Sequence, residues 1–165
     1  MKILVISDIH SHNENLQKAL DVVPQKSIEH IFCLGDVIGY DTALMLAQEP
    51  TAVTLVLGNN DRDWSMFREI ETLYPDSFRV IFHDDGGEIE IENTHYYLTH
   101  YPRVANDMAL TGTYKTIFHG HSHQPRDEVI GDTRIINPGD LLNRHGDAGF
   151  AIYDTKTHEV EFVSL

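Results

Sequence analysis

Met1-Lys2-Ile3-Leu4-Val5-Ile6-Ser7-Asp8-Ile9-His10-Ser11-His12 is the stretch whose reading decides the fold. Ile3 to Ile6 form an unbroken apolar run, which suits a strand covered on both faces of a sheet. The run stops at Ser7, and Asp8 and His10 follow at once. Residues i and i+2 on extended backbone point the same way. A carboxylate and an imidazole are therefore expected to converge just past a strand end, where open α/β sheets carry their sites.

Outward from this stretch, residues 14–23 place Leu16, Ala19, Leu20 and Val23 at helical spacing, with Pro24 as the stop. Residues 31–34 read as a second apolar strand running into Gly35-Asp36, 42–48 as a helix stopped near Pro50, and 53–57 as a third strand running into Gly58-Asn59-Asn60-Asp61. A β-α-β-α-β order implies parallel strands with right-handed crossovers, so the three polar strand ends share one edge. Residues 63–73 predict a further helix, broken by Tyr74-Pro75-Asp76.

Beyond that helix the chain breaks into short β-like runs at 78–82, 88–92, 96–99, 116–118, 128–130, 134–136, 150–153 and 160–163. Asp85-Gly86-Gly87, Glu92-Asn93-Thr94 and Gly131-Asp132 read as hairpin turns. These runs predict a second, mostly antiparallel sheet packed on the first, with helices outside. With no linker and no internal repeat, one domain over residues 1–165 is expected.

The chain has 165 residues, 41% hydrophobic and 23% charged, with a formal net charge of −14 from 26 acidic and 12 basic side chains. Such a surface repels phosphate backbones and anionic bilayers, so long nucleic acid and membrane are not expected as partners. No apolar run approaches the ~18 residues that a span needs. The N-terminal run is too short for a signal peptide, and the lone Cys33 has no internal disulfide partner, so a cytoplasmic setting is expected. Solubility accounts for much of the acidity. Eleven histidines beside so few cations point further, to bound metal.

In order, the chemistry-bearing strand ends deliver Asp8 and His10, Asp36, Asn59, His100, then His121 and His123. Taken singly, each has an ordinary structural role: an Asp before a helix caps it, an Asn in a turn shapes it, a lone His hydrogen-bonds. Together they exceed what one tetrahedral ion needs and match two ions sharing a carboxylate, about 3.5–4 Å apart. Oxygen and imidazole donors without thiolate suit hard or borderline divalent cations.

Asp8-Ile9-His10, Gly35-Asp36, Gly58-Asn59-Asn60-Asp61, His100 and Gly120-His121-Ser122-His123 resemble, in order, the five motifs of the calcineurin-like metallophosphoesterases. The short chain and Asn137-Pro138-Gly139 resemble the small prokaryotic phosphodiesterase branch of that superfamily. The resemblance implies an α/β fold, a four-layer α-β-β-α sandwich of two mixed sheets flanked by helices. It implies that Asp8, His10 and His123 bind a first metal, that Asn59, His100 and His121 bind a second, and that Asp36 bridges them with a hydroxide. The implied cofactor is a pair of divalent ions, Mn²⁺ foremost, with Fe, Zn, Ni and Co also satisfying the ligands. The implied activity is hydrolysis of small or nucleotide-like phosphate diesters, with Asp36, Asn59, Asn60 and His100 as the catalytic group. A homo-oligomer stays open.

Three positions depart from that pattern. Asn60 stands where the family often has a His that touches phosphate and helps the leaving group, and an amide cannot deliver a proton at neutral pH. That loss keeps a second reading alive, a catalytically weak or inactive protein-interaction module on the same fold. Tyr101 follows His100 where Gly is common, and either lines the site or covers the sheet edge. Asp140 stands in place of a common Ser, without a role that the sequence supplies. Arg62, Arg103, Arg126 and Arg144 all lie near motif segments, and the sequence does not choose among them for a phosphate contact.

Overall fold

The structure, a computed structural model, describes residues 1–165. Strand β1 (Lys2–Ile6) leads to helices α1 (Asn13–Leu20) and α2 (Val22–Lys26), then β2 (His30–Cys33), α3 (Tyr40–Ala47), β3 (Val53–Val56), α4 (Trp64–Leu73) and β4 (Phe78–Ile81). The second half holds β5 (Gly87–Ile91), β6 (Thr94–Leu98), α5 (Pro102–Ala109), β7 (Thr116–Phe118), β8 (Arg126–Ile130), β9 (Thr133–Asn137), β10 (Gly149–Asp154) and β11 (Val160–Ser164). The first sheet runs β11-β10-β1-β2-β3-β4 and the second β5-β6-β7-β9-β8.

Alternation along β1 explains the layering. Leu4 and Ile6 face a cluster with Leu16, Ala19, Leu46, Phe67 and Ile70 from the helices. Ile3 and Val5 face the opposite way, into a cluster with Phe32, Val56, Leu98, Phe118 and Ile136 between the sheets. On the outer side of the second sheet, Tyr97, Ile117 and Ile135 pack against Val104, Ala105 and Ala109 of α5. The result is the expected four layers, helices, sheet, sheet, helix. No helix is long and apolar enough to cross a membrane.

Several local expectations are corrected. Pro24 does not stop the first helix; α1 ends at Leu20, and Pro24 lies in the first turn of α2, where its missing N–H costs nothing. The run at 78–82 pairs parallel with β3 as the fourth strand of the first sheet, because α4 supplies a crossover that returns the chain to the same sheet. Strands β10 and β11 also join the first sheet, β10 lying antiparallel to β1. The second sheet is mixed, since β6, β7 and β9 run parallel between antiparallel edges. Asp85-Gly86-Gly87 carries the chain from one sheet to the other instead of closing a hairpin. Glu92-Asn93 and Gly131-Asp132 do close two-residue hairpins. Helix α5 has no counterpart in the sequence reading, although Pro102 at its start and Val104, Ala105, Met108 and Ala109 behind it carry the signal.

Candidate metal centre

The parallel strands β1, β2 and β3 end side by side, and backbone hydrogen bonds stitch their C-terminal loops together. The amides of Asp8, His10 and Ser11 donate to the carbonyls of Gly35, Asp36 and Val37 at 3.0, 2.9 and 3.0 Å. Asp8 and His10 are not on extended backbone, as alternation required. Asp8, His10, Asp36, His121 and His123 all adopt left-handed conformations, with φ of 52°, 48°, 53°, 68° and 57°. Each such residue costs of order 1 kcal/mol or more, strain that sites tolerate when surrounding structure enforces it. The tight turns aim consecutive polar side chains inward, so the residues meet as expected through different geometry.

Two groups of donor atoms lie within 4.8 Å of one another: Asp8 with His10 and His123, and Asp8 with Asp36 and His100. His123 Nε2 is 3.4 Å from Asp8 Oδ1, His10 Nε2 is 3.4 Å from Asp36 Oδ2, and His100 Nε2 is 3.6 Å from the same oxygen. Asn59 Oδ1 and His121 Nδ1 approach His100 Nε2 at 3.1 and 3.2 Å. All seven residues with candidate ligand atoms are therefore drawn to one place. Asp8 and His100 are fully buried there, and Asp36 almost so.

The imidazole tautomers favour metal ligation. His100 Nδ1 lies 2.7 Å from the Leu34 carbonyl, which can only accept, so Nδ1 carries the proton and Nε2 offers its lone pair. His123 Nδ1 donates to Asp140 Oδ2 at 2.6 Å, which likewise turns Nε2 inward. Burial, and then the neighbouring His100, lower the His121 pKa, a shift in favour of the neutral ring. Asp8 Oδ1 and His10 Nε2 are buried without any hydrogen-bond partner. Buried polar atoms left without partners are costly. A divalent cation among these oxygen and nitrogen donors removes that cost, so the residues fit the metal that the motifs imply.

Neighbouring groups shape the cluster. Ser7 Oγ and the His121 amide donate to Asp8 Oδ2 at 2.6 and 2.9 Å. Asn60 donates to Asp36 twice, from its backbone to Oδ1 at 2.9 Å and from its side chain to Oδ2 at 2.7 Å. Its amide is thus turned onto the carboxylate rather than held free in the cleft. Asp61 does not cap the next helix; that is the role of Asp63, whose Oδ1 accepts from Met66 N at 3.3 Å. Asp61 instead accepts from the amides of Val37, Ile38 and Gly58 at 2.9, 3.0 and 2.8 Å, tying the β2 loop to the β3 loop.

Close packing demands glycine at position 120, where a Cβ would sit 1.9 Å from Ser7 Oγ, and at position 35, which has φ of 94° and faces Gly58 N at 2.6 Å.

The open face of the cluster is a cleft of about 420 Å³ lined by His10, Asp36, Asn59, Asn60, His121, Ser122, His123, Arg144 and His145. Tyr101 stands edge-on to His100, ring centroids 5.2 Å apart, and lines an adjoining cavity of about 310 Å³ that shares His121 with the cleft. Sequence reasoning marked Asp140 without giving it a role, and named Arg144 without choosing it. The signal available was an acidic residue just behind Asn137-Pro138-Gly139, too weak to interpret without its partner in space. His12 caps α1 and is not in the cleft lining. Cys33 is buried, and burial pushes its thiol pKa up, as suits an inert core residue.

The calcineurin-like phosphoesterase superfamily domain matches residues 1–158, and the chain belongs to that family. The phosphodiesterase MJ0936 of Methanocaldococcus jannaschii is 26% identical over 168 residues, covering 100% of this chain and 99% of the relative. An uncharacterized protein of the same archaeon, MJ0912, is 40% identical over 215 residues, covering 99% of this chain and 86% of the relative. A solved structure described as a novel archaeal phosphodiesterase superposes with a TM-score of 0.91 at 25% identity, each chain covered over 100% of its length.

Proposed function

We propose that this chain is a divalent-metal-dependent phosphodiesterase acting on small or nucleotide-like phosphate diesters. The observation that carries the reading is the convergence of Asp8, His10, Asp36, His100 and His123, with Asn59 and His121 against His100 Nε2, and with Asp8 Oδ1 and His10 Nε2 buried without a hydrogen-bond partner, in a member of a phosphoesterase family. The phosphodiesterase names of the archaeal relative and of the archaeal structure support diesters as the substrate class.

In this reading Asp8, His10 and His123 hold one ion, Asn59, His100 and His121 hold a second, and Asp36 serves both. Mn²⁺ is the working choice, and Fe, Zn, Ni or Co also suit such donors. Bound cations supply Lewis acidity, making water a nucleophile at neutral pH and offsetting phosphoryl charge. The chain's residues supply placement. The Leu34 carbonyl and Asp140 hold His100 and His123 in the ligating tautomer, and Asn60 orients Asp36. No serine or cysteine nucleophile is required. Asn60 has no proton to give at neutral pH, so good leaving groups such as aryl oxides are favoured over alkoxides.

The open cleft of about 420 Å³ suits a small substrate, and the net charge of −14 argues against a long nucleic-acid track. Residues 1–165 act as one unit in this reading, and the single buried cysteine supports a cytoplasmic setting.

The test is hydrolysis of bis(p-nitrophenyl) phosphate by metal-stripped protein with Mn²⁺ restored, beside Asp36→Asn. Turnover that needs metal and disappears in the variant is the expected result. A second reading, a non-catalytic interaction module, is favoured by the amide at position 60. Absence of turnover in protein that holds its metal ions would carry that reading instead.

A further inference from the structure

We propose that the loop after Gly139 is an anion clamp for the substrate phosphate, with Arg144 as the contact and Asp140 as the residue that positions it. This rests on the reading of the cleft as a phosphodiester site. The loop contributes Arg144 and His145 to the lining of the cleft, and the His145 ring lies 6.5 Å from that of His123.

Of the four arginines near motif segments, Arg144 alone is in that lining. Arg126 is engaged by Glu128 at 2.7 Å and Asn106 at 2.9 Å. Arg103 pairs with Asp107 at 3.2 Å along α5. Arg62 is exposed and outside the lining. In a molecule of net charge −14, an arginine in the cleft lining is a local reversal of sign. Its planar fork is suited to phosphate oxygens.

Asp140 couples this loop to the metal cluster. It is buried, and its two oxygens together accept from His123 and from the start of the following loop. Oδ2 accepts from His123 Nδ1 at 2.6 Å and from the amide of Arg144 at 3.3 Å, and Oδ1 accepts from the amides of Asn143 at 2.8 Å and Arg144 at 3.4 Å. One carboxylate therefore sets the direction of a metal-ligating imidazole and the start of the segment carrying Arg144. A serine at position 140 offers these three donors one uncharged oxygen where the carboxylate offers two charged ones. The Asp replacing the commoner Ser is, in this reading, what keeps phosphate contact and metal in register.

Two probes test the proposal on Mn²⁺-loaded protein: bis(p-nitrophenyl) phosphate for KM and kcat, and inorganic phosphate for a calorimetric Kd. Loss of a charge-assisted contact predicts that Arg144→Ala raises both KM and the phosphate Kd about tenfold or more, with kcat within about threefold. Arg144→Lys should recover part of that loss, and Arg103→Ala should change neither constant by more than about twofold. Asp140→Asn should weaken Mn²⁺ binding about 10- to 100-fold, and should still weaken phosphate binding once Mn²⁺ saturates, without lowering the melting temperature of the metal-free protein to match.

Arg144→Ala with KM and phosphate Kd unchanged overturns the clamp, as does wild-type protein that binds no phosphate. Full phosphate affinity of Asp140→Asn at saturating Mn²⁺ overturns the positioning role. Wild-type protein that binds phosphate through Arg144 yet turns over no diester would keep the clamp and defeat the catalytic reading, so the two fail separately.

Discussion

Asp61 is the residue whose removal should cost the most for the least apparent reason. It touches no candidate ligand side chain, yet its carboxylate takes three backbone amides, those of Val37, Ile38 and Gly58, at 2.8–3.0 Å and is 3% exposed. These amides belong to the loops that carry Asp36 and Asn59. Alanine leaves three donors without a partner. At about 1–3 kcal/mol for each buried unsatisfied group, reduced where water re-enters, the loss should be about 3–5 kcal/mol. The net falls short of three charge-assisted bonds because the buried carboxylate already bears a desolvation cost, visible as a raised pKa caused first by burial. With a urea m-value of about 2 kcal/mol per M, the midpoint should drop by about 2 M. Asp61→Asn, which keeps one acceptor but turns an NH₂ onto a donor, should lose roughly half as much. Urea unfolding of metal-stripped protein measures both, and a Mn²⁺ titration measures the consequence for the site. An Asp61→Ala protein within about 1 kcal/mol of wild type, with its metal affinity intact, would refute the claim that this carboxylate holds the loops together.

Gly120→Ala places a methyl 1.9 Å from Ser7 Oγ and 2.8 Å from Asp8 Oδ2, both fully buried. Overpacking of this kind costs about 1–3 kcal/mol, and a melting curve with a Mn²⁺ titration should show lowered stability together with weaker metal binding. Asn60→His restores a group able to pass a proton; turnover of a dinucleotide diester should rise by about tenfold or more relative to bis(p-nitrophenyl) phosphate, and an unchanged ratio with metals bound would dismiss the leaving-group account. His30 is held neutral, its pKa lowered to about 4 by burial and then by Arg79. The unfolded chain takes up that proton near 6.5, so the stability is complete above pH 6.5 and is lost as pH falls towards 4. After discounting for partial exposure this amounts to about 1–2 kcal/mol between about pH 7 and pH 5, and His30→Gln should flatten the decline in urea midpoints across that interval.

Order along the chain was legible because burial on both faces leaves a plain mark. Ile3–Ile6, Ile31–Leu34 and Val53–Leu57 had to be interior strands, and their polar successors had to share an edge. The same logic drew together Asp8, His10, Asp36, Asn59, His100, His121 and His123, since turn or cap chemistry alone would not place a metal-donor side chain behind one apolar run after another. Sheet membership was not legible. The run at 78–82 looks like any short strand, and only the crossover through α4 assigns it to the first sheet.

The left-handed turns at Asp8, His10, Asp36, His121 and His123 likewise leave no compositional trace. Their cost is met by contacts between segments far apart in sequence, such as Asp8 N to the Gly35 carbonyl. Asp61 and Asp140 show the limit most sharply. Asp61 closes a motif and Asp140 follows one, and each acquires its role from hydrogen bonds to residues between 3 and 24 positions away. By itself the sequence determined the order of the strands along the chain, the donor side chains that meet at the sheet edge and the chemistry those donors suit, because periodicity and donor type are local properties. Only the tertiary structure decided how these donors are aimed, which carboxylates hold their loops and rings, and which arginine lines the cleft, because direction and pairing exist only once separate loops are brought within hydrogen-bond distance.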